Sequence, residues 1–192
     1  MRYYPAFLDL HGRLCCVVGG GTIAGRKARS LLAAGARVEV ISPDLSKALE
    51  PLARKRLITY RNDIYQKKYI RNAFLVIAAT SDPLVNRRVS ADAAELRILS
   101  NIVDRPAQSN FIVPAVLSKN GLIIGISTSG KAPSLSKRIK QDLRKTVLGK
   151  YVRALGELSR ARSRLKKCNA GSGARKHILA RIADNALQRE IL

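Results

Sequence analysis

The stretch CCVVGGGTIAGRK, residues 15–27, decides the fold of this chain. The apolar run from Leu14 to Val18 predicts a buried strand, and apolar residues recur at helical spacing over 22–34. Between them, Gly19, Gly21 and Ala24 match the G-x-G-x-x-G/A pattern that binds dinucleotides. Glycine allows the backbone to approach a pyrophosphate, and the helix start offers free N–H groups to it. A second strand follows, so we interpret the stretch as a nucleotide site rather than a plain strand-to-helix turn.

Strand-like and helical patterns alternate through the first half of the chain. Further strands are predicted over 37–41, 57–60, 74–80 and 98–103, with a helix over 45–55 and another capped by Ser81 or Asp82. This alternation is typical of a doubly wound parallel sheet. Two further strand-like runs, 111–117 and 122–127, are joined through Lys119-Asn120-Gly121, which predicts a hairpin and a second structural unit. Amphipathic helices follow from Pro133 onward.

Charge is the most unusual feature of the composition. The 192 residues include 36 Lys and Arg against 13 Asp and Glu, a formal charge of +23. From Lys131 onward there are 17 basic and 4 acidic residues. Such density favours polyanions: nucleic acid, an acidic membrane surface or a polycarboxylate metabolite. For any single Lys or Arg, a solvated helix face is the more ordinary explanation.

Several classes of protein are not expected. No apolar run approaches the ~20 residues that cross a bilayer, and the first residues lack a signal-peptide core, so we expect a cytoplasmic protein without a membrane partner. Cys15 and Cys16 point to opposite faces of one strand, and no His or Cys cluster has metal-ligand spacing, so no metal site is predicted. The absence of a Ser-His-Asp arrangement and of a Walker A sequence leaves nicotinamide redox chemistry.

Ligands of open α/β sheets bind beyond the carboxyl ends of the strands, which collects the candidate site residues. The expected dinucleotide positions are Gly19, Gly20, Gly21, Thr22, Ile23, Ser42, Pro43, Asp44, Ala79 and Thr80. No Arg follows the second strand, so we favour NAD over NADP as the cofactor. Asp104 is the carboxylate at a strand end here, either an acid/base residue or a turn residue. The loop 127–134 is a second candidate anion site or only a capped helix start.

Together these residues carry a family resemblance. The motifs are Gly19-Gly20-Gly21-x-x-Ala24-x-Arg26-Lys27-Ala28, Ala78-Ala79-Thr80 with Val85-Asn86, Asn101-x-Val103-Asp104, and Phe111-x-x-Pro114-Ala115. In this order, and from about Tyr4 to Ile139, the chain resembles the precorrin-2 dehydrogenase / sirohydrochlorin ferrochelatase family, which includes the amino-terminal module of siroheme synthase.

The resemblance implies a reaction and roles for individual residues. Members of the family oxidise precorrin-2 to sirohydrochlorin with NAD, and many then insert ferrous iron to form siroheme, while some are dehydrogenases only. By position, Asp104 is the acid/base aspartate, and Thr22-Ile23 and Pro43-Asp44 contact NAD. Asn101, Ser127, Thr128 and Gly130 are the candidate substrate contacts, and Thr128 lies where some relatives carry a phosphorylatable serine.

The family also implies an architecture. We expect an NAD-binding Rossmann domain over 1–112, a dimerisation region of hairpin and helix over 113–148, and a basic helical segment over 149–192. A homodimer acting on a polycarboxylate tetrapyrrole follows, with ferrous iron as a second substrate and no nucleic acid partner. The alternative is a binding module that senses NAD and uses its basic segment to hold nucleic acid or a protein.

Overall fold

In a computed structural model, which describes residues 3–146, 148–168 and 171–188, the chain divides into two compact units. They are Met1–Val113 and Pro114–Leu192. The three-part division expected from the sequence, with boundaries after 112 and 148, stays a prediction.

The first unit is built on a five-stranded parallel sheet. Its strands are β1 (Leu14–Val18), β2 (Arg37–Ile41), β3 (Thr59–Arg61), β4 (Leu75–Ala78) and β5 (Leu99–Ile102), in the spatial order β3-β2-β1-β4-β5. The connections contain α1 (Thr22–Ala33), α2 (Glu50–Arg54), α3 (Pro83–Glu95) and two short 3-10 helices, Lys67–Ile70 and Pro106–Gln108. The doubly wound parallel sheet predicted from the sequence is confirmed.

Alternation along β1 separates the core into two layers. Cys15 and Val17 pack in one cluster with side chains of α1, whereas Cys16 and Val18 pack in the other with side chains of α3. Both cysteines are fully buried, and burial raises the pKa of Cys15 to about 11 and that of Cys16 to about 12. They are therefore neutral core residues.

The predicted helix over 45–55 is wrong in length. Helix α2 covers only Glu50–Arg54, because Pro51 lacks a backbone donor and fits only at the start of a helix. The segment before α2 is bonded to the glycine turn, since the Ser46 amide donates to the Gly20 carbonyl at 2.8 Å. The chain after β2 thus packs on the glycine turn, and the helix begins only at Glu50.

Strand register brings three strand ends to one edge. Val18 of β1 lies beside Ile41 of β2 and Ala78 of β4. The residues that follow are joined across this edge, because the Gly19 amide donates to the Ile41 carbonyl at 2.9 Å and the Ala79 amide donates to the Val18 carbonyl at 2.8 Å. The site is therefore assembled directly by the sheet.

The second unit begins with an antiparallel hairpin, β6 (Ala115–Lys119) and β7 (Leu122–Ile126). Asn120 and Gly121 at its turn have φ of 47° and 86°, as such two-residue turns require. In the described part of this unit, three helices follow: α4 (Pro133–Thr146), α5 (Leu148–Lys167) and α6 (Ser172–Gln188). The predicted fold class is confirmed. None of the helices in the described residues has the length and apolar character needed to cross a membrane.

Candidate dinucleotide-binding site

The turn after β1 needs glycine at its first position. Gly19 has φ of 117°, a conformation that L side chains rarely adopt. A Cβ atom there would lie 2.6 Å from the carbonyl oxygen of Ala79. Gly19 therefore lets the ends of β1 and β4 approach each other.

Gly20 is required for packing rather than for its dihedral angles. A Cβ atom at this position would lie 1.8 Å from the carbonyl oxygen of Asp44 and 2.7 Å from Oγ of Ser42. Gly21 differs, because a Cβ atom there would meet no atom within 4 Å. The second glycine is thus packed against the chain after β2, while the third borders open space.

Helix α1 begins without a side-chain cap. Gly21 occupies the N-cap position and makes no side-chain hydrogen bond, and the first turn contains no acidic residue. The first amides of the helix and the positive end of its dipole are consequently available to an anion. A dinucleotide pyrophosphate fits this arrangement.

A cavity of about 610 Å³ opens at this edge of the sheet. Nine of the ten predicted cofactor residues line it: Gly19, Gly20, Gly21, Thr22, Ile23, Ser42, Pro43, Ala79 and Thr80. Asp44 is not among the lining residues, although its carbonyl lies beside Gly20. Its neighbour Tyr60 donates from its hydroxyl to the Pro43 carbonyl at 2.9 Å, which anchors the loop after β2.

Asn86 organises the loop after β4. Its side-chain oxygen accepts from the Thr80 hydroxyl at 2.9 Å, and its side-chain nitrogen donates to the Thr80 carbonyl at 3.0 Å. Asp82 then caps α3 by accepting from the Leu84 amide at 2.7 Å. The wall of the cavity near Thr80 is held by these polar contacts.

Some lining residues are not in the sequence prediction. Ile64 and Tyr65 come from the irregular segment between β3 and the first 3-10 helix. Ser81 and Asp82 directly precede α3, and Val85 lies in its first turn. The Tyr65 hydroxyl donates to Asp92 at 2.9 Å, and burial raises the pKa of Tyr65. Proximity of 81–85 to Thr80 in the sequence is a usable signal, whereas nothing in the pattern of 62–66 places that segment over the site.

Asp104 lies outside the lining of this cavity, in the turn after β5. The residue is exposed and has a left-handed φ of 59°. Within the described residues its carboxylate makes no hydrogen bond or ion pair, but its charge acts on Lys27 of α1. Burial and the neighbouring Arg26 lower the pKa of Lys27, and Asp104 opposes that change. A carboxylate is therefore available near the first turns of α1.

The predicted substrate residues have different surroundings. Asn101 is buried, and its side-chain nitrogen donates to the Phe111 carbonyl at 3.1 Å. Ser127, Thr128 and Gly130 belong to the second unit. There the Thr128 hydroxyl accepts from the Ala132 amide at 3.1 Å, and Ser127 Oγ accepts from the Ser129 amide at 3.0 Å. Their role in binding and any modification of Thr128 stay predictions.

Metal-ligand geometry is not seen in the described part of the chain. No group of three or more His, Cys, Asp or Glu side chains there could hold a metal ion.

Comparison with known proteins then decides the family. A family model described as "Putative NAD(P)-binding" matches residues 6–115, which include the glycine turn, the cavity and Asp104. The chain belongs to this NAD(P)-binding family. A nicotinamide dinucleotide is accordingly the cofactor class that the turn and cavity accept.

Curated relatives of this NAD(P)-binding chain are siroheme synthases. One from Nitrosospira multiformis is 38% identical over 170 residues, which cover 86% of this chain and 36% of that protein. Another from Saccharophagus degradans is 34% identical over 192 residues, which cover 100% of this chain and 42% of that protein. The chain thus spans about two fifths of the length of these relatives.

A solved structure covers nearly the whole chain. It is described as SirC, a precorrin-2 dehydrogenase, and has 29% sequence identity and a TM-score of 0.82. The match covers 98% of this chain and 93% of that one. The family resemblance identified from the sequence motifs is confirmed.

Proposed function

We propose that this protein oxidises precorrin-2 to sirohydrochlorin with NAD. The observation that carries the proposal is a preformed dinucleotide cavity in a chain whose fold matches a precorrin-2 dehydrogenase over almost its full length. The siroheme synthase relatives support the same tetrapyrrole substrate.

Different residues of the chain have different roles in the reaction. Gly19, Gly20 and the start of α1 hold the diphosphate, and the loop after β2 supports the adjacent ribose. Held there, an oxidised nicotinamide would supply the acceptor for the hydride that leaves a C–H bond of the substrate. The second hydrogen leaves as a proton, and Asp104 accepts it before passing it to solvent.

The residues around β2 support NAD rather than NADP. Arg61 of β3 lies beside Ile41 at the end of β2, where a cation would serve a 2′-phosphate. Its guanidinium already donates to Glu39 at 2.6 Å and stacks over the Tyr69 ring at 4.4 Å. No Arg or Lys occurs in the segment 42–46 that follows β2. Equilibrium binding that is no weaker for NADP than for NAD would contradict this preference.

The proposal extends to ferrous iron as a second substrate. The relatives are named siroheme synthases, and iron insertion into sirohydrochlorin forms siroheme. The pyrrole nitrogens of the macrocycle supply the iron ligands, and Asp104 can accept protons that they release. Adding ferrous iron after the oxidation is complete tests this step, and an unchanged sirohydrochlorin spectrum would refute it.

We expect Asp104→Asn to abolish turnover while leaving NAD affinity unchanged, because Asp104 does not line the dinucleotide cavity. Asn is preferable to Ala here, since it tolerates the left-handed backbone at this position. The measurement is the absorbance change on mixing purified protein, enzymatically made precorrin-2 and NAD, with a parallel NAD titration.

Asp9→Asn is the matched control. Asp9 is also exposed, and an Asn oxygen can still accept from the His11 amide. Asp9→Asn should retain full turnover. Turnover by Asp104→Asn equal to that of the control would remove Asp104 from the mechanism.

A homodimer is the assembly we propose. Support comes from apolar side chains of the second unit that remain exposed, namely Ile123, Leu135, Leu155 and Ile178. Exposed apolar surface of this kind marks interaction sites. Light scattering on the purified protein should give twice the chain mass of 21.0 kDa, and a monomeric mass at assay concentration would reject the dimer.

A further inference from the structure

The second unit contains a cleft that the proposed reaction does not use. It has a volume of about 580 Å³ and lies between β6 and the last turns of α4, with Leu148 of α5 at its border. Ligand pockets for small molecules commonly have about 300–1,000 Å³, so the cleft is large enough for one.

Four cations line this cleft: Lys119, Lys140, Arg144 and Lys145. None of the other described residues that line it is acidic or aromatic. Lys140 and Arg144 are four residues apart on α4 and so project from the same side of the helix, where like charges repel. The positive charge is therefore concentrated rather than balanced within the cleft.

Of the four cations, Lys119 lies on β6 rather than on α4. Leu117 and Lys119 lie on the same face of β6, because side chains alternate along a strand. Leu117 is buried, whereas Lys119 is exposed at the end of the strand. Cations from β6 and from α4 thus border the same space.

The single acidic residue of α4 forms no ion pair with them. Asp142 lies about half a helical turn away from Lys140. Its carboxylate accepts from Nε of Arg138 at 3.2 Å, on the other side of the helix. Across the described residues, no ion pair or hydrogen bond engages the side chains of the four cleft cations.

We propose that this cleft binds a compact polyanion built of clustered phosphoryl groups, such as an inorganic triphosphate. Lysine and arginine donors are well suited to phosphoryl oxygens, and four of them match several linked groups. The cleft lacks an aromatic surface on which a nucleobase would stack.

The test is calorimetric titration of the full chain with inorganic tripolyphosphate in the presence of saturating NAD. NAD occupies the glycine turn, so binding there does not contribute to the signal. The double variant Lys140→Gln/Arg144→Gln should weaken binding at least about tenfold, because each charge-assisted hydrogen bond contributes about that much affinity. NAD affinity of the variant should stay unchanged.

The matched control is Arg162→Gln/Lys166→Gln. These two exposed cations are also four residues apart, on α5, and do not line the cleft, so the change in net charge and the spacing are the same. Its tripolyphosphate affinity should equal that of the unmodified chain.

Three results would overturn the proposal. Equal weakening by both double variants would mean that the triphosphate responds to net charge alone. Loss of the heat signal when NAD is added would place binding at the glycine turn. Tighter binding of citrate or of a single-stranded oligonucleotide through Lys140 and Arg144 would assign the cleft to carboxylates or to nucleic acid.

Discussion

Gly20 and Gly21, the second and third glycines of the turn after β1, differ in what an added side chain would contact. We expect Gly20→Ala to lower Tm and to weaken NAD binding, because its Cβ atom would overlap the Asp44 carbonyl oxygen. Overpacking of this kind costs about 1–3 kcal/mol, and each kcal/mol lowers Tm by about 2–4 °C in a chain of this size. Thermal unfolding without cofactor, followed by an NAD titration, measures both effects.

Gly21→Ala is the control for stability. Its Cβ atom would meet nothing within 4 Å, so the overlap is absent. The remaining cost is the about 1 kcal/mol or less by which Ala is a poorer N-cap than Gly. A fall in Tm for Gly21→Ala as large as that for Gly20→Ala would show that the turn is not packed as described.

Single residues show where sequence reasoning succeeds and where it stops. The glycine pattern predicts the turn because the backbone conformation itself demands glycine at position 19. Asp44 is expected at the cofactor, and the structure brings its carbonyl beside Gly20 but does not include it among the cavity-lining residues. Its contact with the cofactor stays a prediction. The position of the loop after β2 depends on its hydrogen bonds to Gly20 and Tyr60. Such long-range contacts leave no local pattern.

The two helices that border the cavity differ in how their N-termini are capped. Asp82 caps α3 with its own carboxylate, whereas α1 begins at Gly21 with no cap. We expect Asp82→Ala to destabilise the protein by about 1 kcal/mol, since the amides of Leu84 and Val85 lose their acceptor. Thermal unfolding in the absence of cofactor should show Tm lower by about 2–4 °C.

Asp82→Asn keeps an acceptor oxygen at the same position and provides the comparison. Its Tm should stay close to that of the unmodified chain. If Asn lowers Tm as far as Ala does, the capping hydrogen bond is not the source of the stability.

Elements of the sheet were largely predictable, and the exceptions have local causes. Buried parallel strands appear as continuous apolar runs, which is why β1 and β4 were identified from the sequence. Helix α2 was predicted too long because its apolar residues fit a helical pattern that Pro51 interrupts. The segment containing Ile64 and Tyr65 was not predicted to cover the site, because irregular chain has no periodicity.

At the scale of the whole molecule, charge is distributed unevenly. The sequence shows the excess of cations after Lys131, but only the folded second unit shows that four cations border one cleft without an acidic partner among the described residues. Lys119 and Lys140 border the same cleft because β6 packs against α4, which follows later in the sequence. The sequence therefore predicted a polyanionic partner without locating its site.

We propose that the chain couples oxidation of precorrin-2 to reduction of NAD. The most direct test is anaerobic incubation of the purified protein with precorrin-2 and NAD, in the absence of iron, with NADH and sirohydrochlorin measured together by absorbance. We predict one NADH for each sirohydrochlorin formed, and a slower reaction when NADP replaces NAD. Sirohydrochlorin that forms at the same rate without NAD, or no oxidation by a protein shown to bind NAD, would contradict this coupling.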